Sequence, residues 1–326
     1  MNLYPWLNSI YNKIITYYKK KKIKNTFFLY SLSGIGGNIL LKNICKWLIC
    51  KNIKKKNCGI CNNCILMNSK THPDYFLINK INNNKNDINE FFNKLIDFIN
   101  ICAQEENIKV IYLQNPELLS ENIIYKLLKI FKNYKKNVFF LIKCNKLSNL
   151  LINFKKNCFY LNLKIPNEKK SIKWLNNNIN NNNINEIKTA LYLNNGAPLL
   201  AKKMLCSKLW LQRNKIYKLL YNEIFNKKIF LLLNILKYKN LEQIFFWLYT
   251  LFIDIIKWKQ KCKNYIINKD KKEIIKKLSN IINLIKLYNF IKKFSKFQYK
   301  IKNKKGINIE ILFIEQIILL KKILNN

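Results

Sequence analysis

The sequence predicts an α/β N-terminal domain with a parallel sheet, followed by a short helical segment and an all-helical C-terminal domain. Three observations carry this prediction. Short apolar runs alternate with helical patterns up to about residue 165, which is typical of α/β domains. The runs are almost continuously apolar, as in strands that are buried on both faces. Beyond Pro166 only helical periodicity remains.

Five runs rich in Phe, Tyr, Ile and Val are predicted to be strands. They lie at residues 26–32 ("TFFLYSL"), 74–79 ("DYFLIN"), 109–114 ("KVIYLQ"), 138–144 ("VFFLIKC") and 158–163 ("CFYLNL"). Helical patterns separate them at residues 39–50, 86–102, 120–134 and 147–154. This order of strands and helices predicts a sheet covered by helices on both faces.

The helical remainder is predicted in two parts. Between residues 166 and 206 we expect three short helices, with Gly196 ending one helix and Pro198 opening the next. From about residue 207 to residue 326, apolar residues recur at three- and four-residue steps with Lys on the other face. The predicted divisions are therefore 1–165, 166–206 and 207–326.

The chain is strongly basic. It has 60 Lys and Arg residues and 17 Asp and Glu residues, which gives a formal charge of +43. Such a balance usually indicates a polyanionic partner such as nucleic acid. However, Lys, Asn and Ile are abundant while Gly, Pro and Ala are scarce, as in AT-rich genomes, and the lysines are spread along the whole chain. Both explanations of the charge stay open.

No apolar run reaches the roughly 18 residues that a membrane span needs. The best candidate, residues 244–256, contains Asp254, and the first ten residues lack the basic-then-apolar order of a signal peptide. We therefore expect a cytoplasmic protein without a membrane partner. Disulfides are rare in that compartment, so clustered cysteines are interpreted first as metal ligands.

A glycine-rich loop follows the first predicted strand and precedes a helix, where phosphate-binding loops lie. In "SLSGIGGNIL" the glycines are Gly34, Gly36 and Gly37. Against the pattern G-x-x-x-x-G-K-[ST], Gly37 stands at the Lys position and Asn38 at the Ser/Thr position. The loop thus lacks the ammonium for the β- and γ-phosphates and the hydroxyl ligand for Mg²⁺.

The strand at 109–114 also lacks an acidic end. Asn115 and Pro116 follow it, where a nucleotide hydrolase would carry Asp-Glu. An amide offers no carboxylate to the metal, and proline is no base. These losses favour a former ATPase over a chance glycine turn, although the chance turn stays open.

Four cysteines, Cys50, Cys58, Cys61 and Cys64, have the spacing C-x₇-C-x₂-C-x₂-C. Four thiolates suit tetrahedral Zn²⁺ and leave no open position for catalysis, so a zinc ion here would be structural. The same ligands suit an iron–sulfur cluster. A redox dithiol, which needs only two of the four, and a chance cluster also stay open.

The remaining cysteines lie singly in apolar patterns, which predicts small core residues rather than ligands. They are Cys45, Cys102, Cys144, Cys158, Cys206 and Cys262. His72 lies in "THPDY", which favours a turn over a ligand.

Four segments resemble the delta-prime family of subunits of the bacterial DNA polymerase III clamp loader. "LYPWL" at 3–7 resembles the family's opening, and "CGICNNCILMNSKTHPDYFLI" at 58–78 resembles its zinc module and His-Pro-Asp turn. "ENIIYKLLKIF" at 121–131 resembles its "NALLKTLEEPP" helix, and "NNGAPLLAKKM" at 194–204 resembles its lid. The resemblance is specific through about residue 205; beyond that it rests on length and helical content.

The resemblance implies an AAA+ fold: a RecA-like parallel sheet with a zinc module at 50–64, a small helical lid and a helical collar that carries oligomerisation. The resemblance implies zinc in the cysteine cluster. It also implies a subunit that belongs to a DNA polymerase holoenzyme but itself neither binds nor hydrolyses ATP. The implied partners are the gamma/tau and delta subunits in a hetero-oligomeric ring. Primed DNA and the sliding clamp would be indirect partners.

The chain departs from the family at two places. The segment at 128–135 lacks the family's two acids and two prolines, and the family's Ser-Arg-Cys motif aligns with Lys156-Asn157-Cys158. Asn157 therefore stands where the family's arginine finger reaches the neighbouring ATP. Lys155 or Lys156 would be an imperfect substitute, because a Lys lacks the planar fork of Arg.

A second class of function fits the same residues. A free-standing, basic, zinc-containing protein could bind nucleic acid through its lysines. Such a protein would need no other subunits, whereas the first class requires them.

Overall fold

The computed structural model describes most of the chain. The described residues are 3–20, 24–52, 57–79, 85–101, 103, 108–133, 137–156, 158–179, 183–226, 228–238, 240–303 and 308–324. They form two compact units, Met1–Asn167 and Glu168–Asn326.

The first unit contains a parallel sheet of five strands. The strands are β1 (Thr26–Ser31), β2 (Tyr75–Ile78), β3 (Lys109–Gln114), β4 (Val138–Cys144) and β5 (Phe159–Leu163). Their order across the sheet is β2-β3-β4-β1-β5, and every pairing is parallel. The predicted strands and the parallel sheet are confirmed; four of the ten strand ends differ from the predicted bounds by one residue, and the others agree.

The strands are mostly apolar because helices cover both faces of the sheet. Every residue of β4 is buried. Side chains alternate along a strand, and Phe140 and Ile142 belong to a core that also contains residues of the helices at 85–100 and 121–133. Phe139 contacts Tyr18 in the helix before β1, so it faces the other side. Lys143 lies four residues after Phe139 in the same strand, so the two side chains are on the same face of the sheet.

Six α-helices accompany the sheet in the part of this unit that the structure describes. They are α1 (Asn8–Lys19), α2 (Gly37–Ile49), α3 (Asn62–Ser69), α4 (Lys85–Asn100), α5 (Glu121–Asn133) and α6 (Asn149–Lys155). The sequence analysis predicted α2, α4, α5 and α6 but neither α1 nor α3. Helix α3 buries Asn63, Cys64 and Met67, a mixed set that gives no apolar periodicity.

The carboxyl ends of β1, β3 and β4 lie side by side. Tyr30 pairs with Cys144, and Gln114 pairs with Lys143. The loops that follow these three strands therefore meet at one edge of the sheet. In open α/β sheets this edge is where ligands bind.

The described residues of the second unit form helices and connecting loops, with no strand among them. Its helices are α7 (Glu168–Asn178), α8 (Ile184–Leu193), α9 (Pro198–Leu205), α10 (Lys208–Phe225), α11 (Leu241–Lys259), α12 (Lys272–Ile281), α13 (Leu284–Asn303) and α14 (Ile309–Leu324). The three short helices after Pro166 are confirmed, and Pro198 begins α9. Gly196 has φ 76°, and its N–H donates to the Leu191 carbonyl at 2.7 Å, which is the helix end that the glycine predicted.

One hydrophobic core unites this second unit. It contains Leu191 from α8 and Ile216 from α10, together with a cluster of phenylalanines from α11, α13 and α14. The part before residue 207 thus packs into the same core as part of the rest. The finer division into a lid at 166–206 and a collar at 207–326 stays a prediction.

A polar network is buried inside this core. The fully buried Arg213 donates to both carboxylate oxygens of Asp270 at 2.8 and 3.0 Å, and to Asn268 Oδ1 at 2.7 Å. Asp254 accepts the backbone N–H of Asn268 at 2.7 Å. The network connects α10 and α11 to the segment just before α12.

The expectation that the single cysteines are core residues holds only in part. Cys45 and Cys144 are buried, whereas Cys206 and Cys262 are exposed, so the prediction was wrong for these two. Both lie just past a helix end, where helical periodicity no longer indicates burial. Cys102 lies outside the described residues.

Among the described helices, none combines the length with the apolar composition that a membrane crossing requires.

Candidate functional site

The four clustered cysteines come together at the end of α2. Cys50 directly follows α2 and is buried; Cys61 directly precedes α3, and Cys64 lies in its first turn. The amide Nδ2 of Asn63 donates to the Ile49 carbonyl at 3.0 Å. This bond ties the start of α3 to the end of α2 and so fixes the two halves of the cluster.

The sulfur atoms have the spacing of a tetrahedral site. Cys50 Sγ lies 3.6 Å from Cys58 Sγ and 4.0 Å from Cys61 Sγ, and Cys58 Sγ lies 3.9 Å from Cys64 Sγ. All four Sγ atoms lie within 4.8 Å of one another. A zinc ion with Zn–S bonds of about 2.3 Å requires sulfur–sulfur edges of ~3.8 Å. The three distances are close to this edge, so the four residues fit the ligand set of a four-coordinate metal.

Backbone N–H groups point at two of these sulfurs. The N–H of Cys58 donates to Cys50 Sγ, and the N–H of Cys61 donates to Cys58 Sγ, both at 3.3 Å. The latter bond, together with a hydrogen bond from the backbone of Ile60, lowers the pKa of the Cys58 thiol to about 6. Burial raises the pKa of Cys50, and it raises the pKa of Cys64 to about 12. A bound cation would supply the charge that keeps all four groups as thiolates.

Gly59 makes the turn between the second and third cysteines. Its φ is +80°, and a Cβ built on it would meet no atom within 4 Å. The glycine is therefore required by backbone conformation rather than by space.

The glycine loop after β1 leaves no room for a side chain at the lysine position. A Cβ built on Gly37 would lie 2.3 Å from Ser31 Oγ and 3.3 Å from Leu29 Cδ2. Gly36 has φ +101°, and its Cβ would lie 2.9 Å from Tyr4 Cδ2. The loop is therefore closely packed at the position where a working phosphate-binding loop carries its lysine.

The N-terminal segment holds this loop in place. Trp6 Nε1 donates to the Ile35 carbonyl at 2.8 Å, and the rings of Tyr4 and Trp6 stack with centroids 5.0 Å apart. Leu7 is fully buried and lies near Gly36. Sequence reasoning noticed "LYPWL" only as a family resemblance and did not place it on the loop.

Asn38, at the position of the metal-ligating hydroxyl, is already engaged. Its Oδ1 accepts a hydrogen bond from the Tyr112 hydroxyl at 3.2 Å. Tyr112 lies on β3 and is fully buried. The interaction joins the start of α2 to the strand that precedes Asn115.

Asn115 and Pro116 lie where the sequence placed them, at the carboxyl end of β3. Asn115 has φ 52° and directly precedes a 3-10 helix at Pro116–Leu118. Its Oδ1 accepts from Asn145 Nδ2 at 2.9 Å and from Lys143 Nζ at 3.3 Å. Glu117 Oε1 accepts from Asn145 Nδ2 at 2.6 Å. One carboxylate therefore does reach this edge of the sheet, two residues beyond the expected position.

Sequence reasoning missed Lys143, Asn145 and Glu117. Lys143 is nearly buried, at 4% exposed, and burial lowers its pKa, although the charge of Glu117 opposes that shift. The available signal was a single Lys inside the apolar run "VFFLIKC". A charged residue in a fully buried strand needs a partner.

The position predicted for the lost arginine finger, Asn157, lies outside the described residues. Of its neighbours, Lys155 has its ammonium 3.7 Å from the centroid of the Tyr160 ring, a cation–π contact. Lys156 is exposed.

Two protein-family models match this chain. The family model described as "DNA polymerase III, delta subunit" matches residues 6–167, and the model "DNA polymerase III, delta subunit, C terminal" matches residues 207–322. Together they cover the sheet unit and most of the helical unit.

Full-length relatives agree. The DNA polymerase III subunit delta' of Buchnera aphidicola subsp. Schizaphis graminum is 35% identical over 99% of this chain and 98% of its own length. That of Buchnera aphidicola subsp. Baizongia pistaciae is 34% identical over 100% of this chain and 99% of its own length. That of Yersinia pestis is 28% identical over 98% and 95%. With such identity along the whole length, the chain belongs to the family of DNA polymerase III delta' subunits.

Proposed function

We propose that this chain is a non-catalytic subunit of the DNA polymerase III clamp loader. It would occupy a hetero-oligomeric ring with the gamma/tau and delta subunits and help to load the sliding clamp on primed DNA. Family membership supports the assembly, because the relatives are delta' subunits of DNA polymerase III. Its contribution would be a rigid scaffold rather than ATP turnover.

The observation that carries the non-catalytic role is the packing of the glycine loop. A side chain at Gly37 would begin 2.3 Å from Ser31 Oγ, well inside any allowed contact. A lysine here, of the kind that contacts the β- and γ-phosphates in working loops, would require Ser31 or the start of α2 to move. Asn38 and Asn115, which stand at the positions of metal ligands, already hold protein donors.

The test is nucleotide binding and hydrolysis by the purified subunit alone. We expect ATP affinity too weak to measure at micromolar concentrations and no turnover above background. Turnover that disappears in a Gly36→Val variant would mean that the loop is active, and the chain would then be an ATPase.

The ring is tested separately by assembly with gamma/tau and delta. Size-exclusion chromatography of the mixed subunits should yield one complex that contains this chain. A chain that stays monomeric but binds DNA with strong salt dependence would instead favour the free-standing nucleic-acid-binding protein. The observation favouring that alternative is the net charge of +43.

Within this proposal the four-cysteine cluster holds a structural zinc ion. Cys50, Cys58, Cys61 and Cys64 would be its ligands, since their sulfur atoms all lie within 4.8 Å of one another. The ion would join the end of α2 to α3 and contribute folding free energy directly. Lys156, which is exposed, is the better candidate for contact with a neighbouring nucleotide, since Lys155 is engaged with Tyr160.

A further inference from the structure

Lys143 is the charged centre of a polar cluster at the carboxyl edge of the sheet. It lies on β4, a strand whose every residue is buried. Its Nζ donates to Asn145 Oδ1 at 2.5 Å and to Asn115 Oδ1 at 3.3 Å. Both acceptors are uncharged amide oxygens, a type of ligand that hard cations also use.

The rest of the cluster is oriented to present oxygens to this ammonium. Asn145 directs its Nδ2 away, toward Asn115 Oδ1 at 2.9 Å and Glu117 Oε1 at 2.6 Å. Its backbone N–H donates to the same Glu117 oxygen at 3.1 Å. Each of these bonds has a donor facing an acceptor, so the amide orientations are mutually consistent.

The cluster connects three separate loops. Asn115 and Glu117 follow β3, and Asn145 follows β4. Ser33, in the glycine loop after β1, donates its hydroxyl to Asn145 Oδ1 at 3.2 Å. These are the three loops that meet where an open α/β sheet binds its ligand.

We propose that the Lys143 ammonium is an internal cation that takes the place of a bound metal ion at this edge and holds the three loops in one fixed arrangement. This inference rests on the proposed function, because it explains how a subunit without nucleotide keeps the shape of a nucleotide-binding domain. Lys143 is a positioning residue in this view.

The experiment removes the Lys143 ammonium by substitution and then supplies a small alkylammonium ion from solution in its place. Lys143→Ala should lower the melting temperature of the isolated chain by about 4–8 °C, because two partly buried amide oxygens each lose one of their two donors. Ethylammonium chloride at tens of millimolar should restore a substantial part of that loss. Sodium chloride at equal ionic strength should not. The wild type and the matched control Lys146→Ala, which changes an exposed lysine nearby, should not respond to the amine.

A second variant decides the matter if the alanine variant does not fold. Lys143→Met keeps an unbranched chain of similar length without the charge, and it should melt below the wild type. A methionine variant as stable as the wild type, or an amine effect equal in all variants, would overturn the proposal. All measurements use the isolated chain without nucleotide. They are therefore independent of the ATP and assembly tests on which the proposed function depends.

Discussion

Gly37→Ala is the sharpest probe of the closed glycine loop. The new Cβ would lie 2.3 Å from Ser31 Oγ, 3.1 Å from Ser31 Cβ and 3.3 Å from Leu29 Cδ2. Two of these atoms belong to one short side chain at the end of β1, which has few ways to move because Ser31 is fully buried. The substitution therefore forces either the strand end or the start of α2 to shift.

The expected cost follows from two opposing effects. Overpacking a close-packed interior costs typically about 1–3 kcal/mol. Replacing Gly by Ala inside a helix returns about 0.5–1 kcal/mol, although Gly37 is only the first residue of α2. We expect a net loss of about 1–2 kcal/mol in the free energy of unfolding.

Ser31→Ala supplies the matched background. The Ser31 hydroxyl is buried and has no hydrogen-bond partner among the described residues, so its removal should be neutral or stabilising. It also removes the 2.3 Å contact and leaves only the 3.1 and 3.3 Å contacts. Most of the Gly37→Ala penalty should therefore vanish in the Ser31→Ala background.

The assay is urea unfolding of the four chains of this double-mutant cycle, followed by far-ultraviolet circular dichroism. A coupling free energy of about 1 kcal/mol or more between the two positions is expected. If Gly37→Ala is as stable as the wild type, or if its penalty is the same in both backgrounds, the loop has room for a side chain. The argument against a phosphate-binding lysine would then fail.

Three further predictions concern the rest of the chain. Metal analysis should find about one zinc ion per chain, and Cys61→Ser should lose it and destabilise the first unit, because structural zinc contributes folding energy. Arg213→Leu should cost about 3–5 kcal/mol in unfolding free energy, because it leaves the Asp270 carboxylate buried without its partner. Burial raises the pKa of Asp270, but Arg213 outweighs it and lowers the pKa below its ordinary value. The Arg213 contribution should therefore be fully present above about pH 4 and be lost as the pH falls through the depressed folded-state pKa. Deleting residues 207–326 should abolish assembly with gamma/tau and delta, because the collar is expected to carry oligomerisation.

The two substitutions have matched controls, and each prediction has an outcome that would contradict it. Cys206→Ser changes an exposed cysteine and should keep the zinc; iron, or no metal, in a chelator-free preparation would contradict the zinc assignment. Lys215→Leu changes an exposed residue of the same helix as Arg213 and should leave stability nearly unchanged. If Arg213→Leu and Lys215→Leu lowered the free energy of unfolding equally, the buried Arg213–Asp270 pair would contribute no more to stability than an exposed lysine does. Normal entry of the truncated chain into the complex would contradict the collar assignment.

Sequence alone determined the strands of the first unit and its four-cysteine cluster. Apolar runs such as 138–144 predicted the strands because a strand buried on both faces tolerates few polar residues. The spacing of Cys50, Cys58, Cys61 and Cys64 predicted a four-sulfur site because their short separations keep the ligands close in any compact fold. Both signals are local, and the structure agrees with them.

The tertiary structure alone decided how the glycine loop is closed. Ser33, Asn115 and Asn145 are far apart in sequence, and their meeting depends on which strands are neighbours and on which face each side chain lies. Strand propensity does not indicate which strands are neighbours or on which face of the sheet each side chain lies. The sequence also could not show that Gly37 packs against Ser31. The distance of 2.3 Å between a Cβ built on Gly37 and Ser31 Oγ depends on how closely β1 approaches α2. Residues that follow different strands become one site only because a parallel sheet aligns its carboxyl ends at a single edge.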